Sequence, residues 1–322
     1  MRQHQLAPVT WSSSALSPFH RAAVAATVYS PMQYVLTLIA ARAATTLTGA
    51  AIARVRDATG GDAPNMLSPG EAIDIPVPAV PPTLLVQAAL EGAPVDAITT
   101  PVANRRKRLL VADMDSTIVT GETLDELAAF AGLKQRIAAI TARAMNGELD
   151  FKAALRERVA MLAGLKLDAL ERTWERVQLT DGARELVATM RANGAYAVLV
   201  SGGFTFFTSR VAALCRFHEH RSNTLLDDGT ALIGRVAEPI LDRDSKLATL
   251  TGLAAERDLL PADTLAVGDG ANDLDMLQAA GLGVAFHAKP VVASAARARV
   301  DHAGLRALLF AQGYRAADIV SG

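Results

Sequence analysis

One cysteine, Cys215, stands among 322 residues, so neither an internal disulfide nor a cysteine metal cluster can form. The fold must be held by its core, and the chain fits a reducing compartment such as the cytoplasm. Aromatic residues are scarce at 5%, and 32 basic residues against 33 acidic ones leave a net charge of −1. A protein that grips a phosphate backbone needs surplus Lys and Arg to displace counterions, so no nucleic-acid partner is expected. Disorder is excluded by a hydrophobic content of 51%. The length accommodates one or two domains.

Acidic residues are missing altogether before Asp57, and long hydrophobic runs are nearly absent. Residues 22–41 carry no charge between Arg21 and Arg42, which is long enough for a membrane span. Thr27, Ser30, Pro31, Gln33 and Thr37 interrupt that run, and its many alanines bury little area, so no membrane association is expected. Arg2, Ser12, Ser13, Ser14 and Arg21 also admit a targeting peptide, because such segments are rich in Arg and Ser and poor in acids. The favoured expectation is a tail over residues 1–31, dispensable for activity, with the folded chain beginning near Met32.

From there the pattern suggests a first strand over 32–39, a helix over 45–58 stopped by Gly60 and Gly61, and a strand over 72–77. Pro76 lacks a backbone N–H and demotes that strand to an edge. A helix over 84–90 and a strand over 95–100 close a small α+β unit of three strands, assigned to residues 32–103. The basic run Arg105-Arg106-Lys107-Arg108 reads as a solvated linker. After it, strands alternate with long amphipathic helices, the pattern of an α/β fold with a doubly wound parallel sheet, assigned to residues 104–315. Its strands are expected at 109–112, 195–200, 264–267 and 283–286. A charged helical segment over about 122–177 is too long for a crossover and reads as a cap over the sheet's carboxyl edge. Residues 223–236, centred on Asp228-Gly229, read as a hairpin.

Acidic or glycine-containing loops follow three of those strands. Asp113-Met114-Asp115-Ser116-Thr117 puts two carboxylates at a strand end, although a lone Asp-x-Asp also serves as a turn or helix cap. Ser201-Gly202-Gly203-Phe204 leads into a helix expected over 206–214, where glycine lets backbone approach a ligand and the helix start favours an anion. Gly268-Asp269-Gly270-Ala271-Asn272-Asp273 is a second acidic cluster. Lys246 supplies a point charge suited to phosphate, or else is a surface lysine.

With four motifs in this order, the chain resembles the haloacid dehalogenase-like phosphohydrolases from about Leu109 to Leu309. Within them, residues 113–126, Phe151 with Arg158, 201–204 and 268–275 are similar to the phosphoserine phosphatases. The N-terminal unit is loosely similar to ACT-type domains, which carry four strands.

The resemblance implies Mg²⁺-dependent hydrolysis of the small molecule O-phosphoserine, the last step of serine biosynthesis. It makes Asp113 the nucleophile that forms an aspartyl-phosphate and Asp115 the acid and then the base. Mg²⁺ would be held by Asp113, the backbone carbonyl of Asp115, and Asp269, with Asp273 supporting from behind. Ser201, the Gly202 N–H, Lys246 and Asn272 would grip the phosphoryl group. Glu122 would pair with the substrate ammonium and Arg158 with its carboxylate, between apolar walls from Met145 and Phe151. A phosphotransferase, a phosphatase for another small ester, a phosphorylatable receiver and an inactive binding protein are the competing readings. Oligomeric state is not legible.

Overall fold

The computed structural model describes residues 32–322, apart from 43, 45, 46, 146 and 147. The tail and targeting readings of residues 1–31 lie outside the described residues. Among the described residues, no helix is long and apolar enough to cross a membrane.

Strand β1 (Tyr34–Ala40) is buried on both faces. Leu36, Leu38 and Ala40 pack with Val55 of α1 (Gly49–Thr59) and with Val86 and Leu90 of α2 (Thr83–Leu90), while Ile39 joins the main core. That double burial explains a nearly continuous apolar run, broken by the buried Thr37, where a one-sided strand would alternate. The Thr48 side chain caps α1 by accepting the Ala51 N–H, and Gly60 closes it at φ 62°. β2 (Asn65–Ser68), β3 (Ala72–Val77) and β4 (Val95–Pro101) complete an antiparallel sheet in the order β2-β3-β1-β4.

Two expectations need correction here. The sheet has four strands rather than three, because β2 is a short edge whose Asn65 and Met66 are exposed and leave no apolar signature. Moreover, β3 lies inside the sheet despite Pro76. β2 pairs only with residues 72–74, so Pro76 lies beyond its end, and the Pro76 carbonyl on that side accepts the N–H of Asp62. The missing proline N–H therefore falls where no strand needs it.

The basic run is only half solvated: Arg106 and Arg108 are exposed, but Arg105 is half-buried and Lys107 buried. Arg105 forks onto Asp74 at 2.6 and 2.7 Å and also donates to the Phe310 and Ala311 carbonyls. Lys107 is buried, its ammonium on the carbonyls of Asn104 and Ala262 at 2.7 Å. A buried charge persists only when paired, and these residues tie the N-terminal sheet to the body behind it. Asp96 of β4 adds to that seam by accepting the N–H groups of Asp301, His302 and Ala303.

From β5 (Leu109–Ala112) onward the second sheet is parallel. A helical insertion follows, α3 (Thr123–Phe130), α4 (Lys134–Met145), α5 (Phe151–Ala160) and α6 (Asp168–Trp174), pinned at its neck by a bridge between Val119 and Leu179. The chain then runs through α7 (Ala183–Ala192), β6 (Tyr196–Phe204), α8 (Thr205–Cys215) and β7 (Glu219–Asn223). A hairpin of β8 (Leu225–Asp227) and β9 (Leu232–Val236) precedes α9 (Arg243–Glu256), β10 (Thr264–Gly268), α10 (Leu274–Ala279) and β11 (Leu282–Phe286). The last elements are α11 (Pro290–Ala295), β12 (Ala298–Val300) and α12 (Ala307–Ala311). The sheet order is β12-β11-β10-β5-β6-β7, so winding reverses between β5 and β10, where open α/β sheets form their ligand crevice.

The central strands bury alternate residues in two different cores. Leu110, Ala112, Leu199 and Val267 face one, and Leu109, Val111, Val198 and Ala266 face the other against Leu250, Leu253 and Met276. Burial on both faces makes these strands continuous apolar runs. β7 and β12 escaped the sequence reading because β7 is Glu-His-Arg-Ser-Asn and β12 has only three residues.

Candidate active site

Parallel register brings two loops beside the end of β6, which runs through Ser201-Gly202-Gly203-Phe204 rather than stopping at Val200. Ala112 at the end of β5 is level with Val267 of β10 and Leu199 of β6, so Asp113, Asp269 and Ser201 emerge side by side at the carboxyl edge. The Asp113 N–H donates to the Val267 carbonyl at 3.0 Å, fixing the start of the turn. The backbone then folds tightly through Ser116 at φ 54°, and the Ser116 N–H donates to the Gly121 carbonyl at 3.2 Å. This turn aims both carboxylates of Asp113-Met114-Asp115 into one crevice.

Lys246 enters from the first turn of α9, which is held by a capping box between Asp242 and Ser245. Its ammonium lies 2.7 Å from Oδ1 of Asp113 and 2.6 Å from Oδ1 of Asp273. Burial alone would lower the Lys246 ammonium, but these two carboxylates outweigh it and keep it charged. Burial pushes Asp113 up, against the pull of Lys246. Asp273 also accepts the Gly270 N–H through Oδ2 at 3.0 Å, so both of its oxygens are engaged. Carboxylate oxygens of Asp113, Asp269 and Asp273 lie within 4.8 Å of one another. This buried, all-oxygen donor set suits a hard divalent cation.

Asp115 is held differently. Its Oδ1 accepts the Thr123 N–H at 2.9 Å, and its Oδ2 lies 3.4 Å from the Ser201 hydroxyl. Burial, reinforced by the negative charge of Glu122, raises Asp115 to about 7 against the Thr123 hydrogen bond. Ser201 also accepts the Gly203 N–H at 2.9 Å. Both glycines are required by close approach: a Cβ on Gly202 would stand 2.8 Å from the Phe151 ring, and one on Gly203 would stand 2.8 Å from Oδ2 of Asp115.

The cap supplies the opposite wall. Glu122 accepts the Ser116 hydroxyl at 2.8 Å. Arg158 is buried on α5, donating through Nε to the Ala154 carbonyl and through Nη1 to the Thr141 hydroxyl at 2.8 Å. Burial lowers it, while Asp125, Glu122 and Asp115 oppose that shift. In the run Arg156-Glu157-Arg158, Arg156 is the exposed arginine, paired with Glu238. One cavity is lined by Asp113, Asp115, Glu122, Phe151, Arg158, Ser201, Gly202 and Asn272, closed by Leu124 and Leu155. Among the described residues, none is a hydrogen-bond partner of Asn272 Oδ1, which is buried there. Met145 ends α4, and its side chain lies outside the described residues. A larger cavity of about 630 Å³ opens between α2, β4 and β12. Among the described residues, the cluster of three carboxylates lies at the strand ends and not in that cavity.

Two residues in this region were not picked out from the sequence. Lys289, three positions beyond β11, donates to Oδ2 of Asp269 at 3.0 Å. Burial chiefly raises Asp269, to about 6, with Lys289 opposing. Thr141 bridges Arg158 and Asp125, donating to Asp125 at 3.1 Å. The signal for Lys289 was its place after a parallel strand; for Thr141 it was a polar residue on the buried stripe of Ile137 and Ile140.

The haloacid dehalogenase-like hydrolase family model matches residues 110–278. A phosphoserine phosphatase of Streptomyces coelicolor is 42% identical over 230 residues, covering 71% of this chain and 56% of that protein. One from Albidiferax ferrireducens is 43% identical over 208 residues, covering 63% of this chain and 88% of that protein. The crystal structure of a probable phosphoserine phosphatase from Vibrio cholerae superposes with a TM-score of 0.70 at 32% identity, covering 88% of this chain and 86% of that one. The chain spans only 53 to 59% of the length of several curated relatives it matches.

Proposed function

Because the chain belongs to the haloacid dehalogenase-like hydrolases, we propose that it is a phosphoric monoester hydrolase acting on O-phosphoserine, yielding serine and phosphate as the last step of serine biosynthesis. The observation that carries this reading is that Arg158 and Glu122 share one cavity with Asp113. An amino-acid phosphate brings an ammonium, a carboxylate and a phosphoryl group, and the cavity offers an acid, a guanidinium and a carboxylate nucleophile. The sequence relatives named for this activity support the same substrate. We read the compartment as the cytoplasm, in keeping with the lone, buried Cys215.

Asp113 attacks phosphorus through a carboxylate oxygen while the P–O bond to serine breaks, leaving an aspartyl-phosphate. Asp115 gives its proton to the departing serine oxygen, a role suited to a carboxyl raised to about 7. Now ionised, Asp115 takes a proton from water as that water attacks the aspartyl-phosphate, which restores both carboxyls and frees phosphate. Ser201, the Gly202 N–H, Lys246 and Asn272 hold the phosphoryl oxygens, and the unpartnered Asn272 Oδ1 accepts from a donor on the substrate side or from water.

Asp113, Asp269 and the backbone carbonyl of Asp115 would hold Mg²⁺, with Asp273 fixed behind them by Lys246 and Gly270. When bound, Mg²⁺ neutralises the charge that repels a carboxylate from a phosphate ester. Among the described residues, the N-terminal sheet, which we assign to an ACT-like unit over residues 32–103, contributes none to the cavity lining. Phosphate release from phosphoserine, phosphothreonine and a phosphate ester without an amino group, each with and without Mg²⁺, tests the reading. Equal rates on all three esters would remove the amino-acid specificity.

A further inference from the structure

The acidic cluster is served by two lysines of different character. Lys246 is sealed at 1% side-chain exposure and is committed to Asp113 and Asp273. Asp269 is left to Lys289, whose ammonium lies 3.0 Å from Oδ2. Lys289 precedes the first turn of α11, and its N–H donates to the Asp269 carbonyl at 3.2 Å, so the lysine backbone is anchored on the residue its side chain holds. Its side chain is 35% exposed whereas that of Asp269 is 4% exposed. Glu122 and Asp113 are the other acids facing it. A carboxylate buried so deeply needs a cation beside it, but this cation sits on a flexible four-carbon stem at the rim and can turn out to water.

From this contrast we propose that Lys289 is a displaceable counter-ion, a positioning residue that holds Asp269 until a divalent cation takes its place. The proposal rests on the reading that Asp113 and Asp269 hold Mg²⁺. Lys289 and the metal ion then compete for one carboxylate, and linkage makes the consequences reciprocal. Removing the lysine charge must destabilise the metal-free protein and tighten Mg²⁺ binding together. A residue that merely packs would lower stability equally in both states.

Calorimetric titration with MgCl₂ and thermal unfolding in EDTA and in saturating Mg²⁺ test this on the full chain. Lys289→Gln should bind Mg²⁺ at least about fivefold tighter than wild type. It should also melt below wild type in EDTA, by more than it does in Mg²⁺. Lys289→Met, which keeps the stem without the charge, should match it, and Lys289→Arg should restore wild-type affinity. Unchanged or weaker Mg²⁺ binding by both uncharged variants, an equal melting loss in EDTA and Mg²⁺, or an Arg variant that behaves like Gln would each overturn the proposal. If Asp269→Asn loses Mg²⁺ binding while Lys289→Gln matches wild type, the metal reading stands and only the role of Lys289 falls. If wild type itself binds no Mg²⁺, both fall.

Discussion

The ammonium of Lys246 lies 2.7 Å from Oδ1 of Asp113, and both side chains are nearly sealed from water. Such a pair cannot be halved cheaply. Lys246→Met leaves Asp113 and Asp273 as facing carboxylates without their shared cation, which costs about 3–5 kcal/mol. The variant should melt well below wild type and release no phosphate from phosphoserine. A wild-type melting temperature would show that the lysine is not needed to hold the acids together.

Asp115 touches Ser201 rather than the Lys246 cluster, so its loss should have a separate kinetic signature. A serine alkoxide needs a proton to leave, whereas a nitrophenolate does not. Asp115→Asn should therefore abolish phosphoserine turnover yet still cleave an aryl phosphate once, in a burst of about one equivalent, before stalling as the phosphorylated Asp113 waits for a base. Asp113→Asn should give neither burst nor turnover while keeping its fold. Steady aryl phosphate turnover by Asp115→Asn would assign the second proton transfer to another group.

Arg158 is held by Thr141, which in turn donates to Asp125, so three cap helices converge on one guanidinium. A charged hydrogen bond is worth about 1.5–3 kcal/mol, and a bidentate contact to a carboxylate is the stronger kind. Arg158→Ala should lower kcat/KM for phosphoserine by about 100-fold while an aryl phosphate without a carboxylate loses little. Thr141→Val should lower kcat/KM for phosphoserine by less, through a higher KM, because it loosens the guanidinium without removing it. Parallel losses on both substrates would make Arg158 a structural residue.

Short apolar strands and acidic loops were legible because their signals are local. Leu109–Ala112 was bounded correctly from four consecutive apolar residues, and Asp113 follows it directly. What was lost depends on distance in sequence. Pro76 looks forbidden inside a sheet until β2 is seen to end short of it. Arg105 looks like a solvated residue until Asp74, 31 residues earlier, closes on it. Lys289 acquires meaning only when β11 is laid beside β10, which brings it to Asp269, 20 residues away. Residue types and local periodicity carry none of these relations. Strand pairing carries the first and the last of them, antiparallel for β2 with β3 and parallel for β10 with β11, and register follows from which faces are buried.

The pH dependence of stability offers a check on the pocket that needs no substrate. Burial chiefly raises Asp115 to about 7 and Asp269 to about 6, from an ordinary value of 3.8. Between 3.8 and those values the folded, metal-free protein keeps protons that the unfolded chain has released, so the folded state binds more protons throughout the window. Stability from these groups is therefore complete below the ordinary value and is lost as pH rises through about 6 and then about 7. In EDTA the melting temperature should fall as pH rises across that window. Mg²⁺ favours the ionised carboxylates and should flatten the fall. Asp115→Asn cannot ionise, so it should lose the part of the slope that lies nearest neutrality. A melting temperature that rises with pH in EDTA, alike in wild type and Asp115→Asn, would mean that Asp115 is already ionised in the folded protein and cannot serve as the acid.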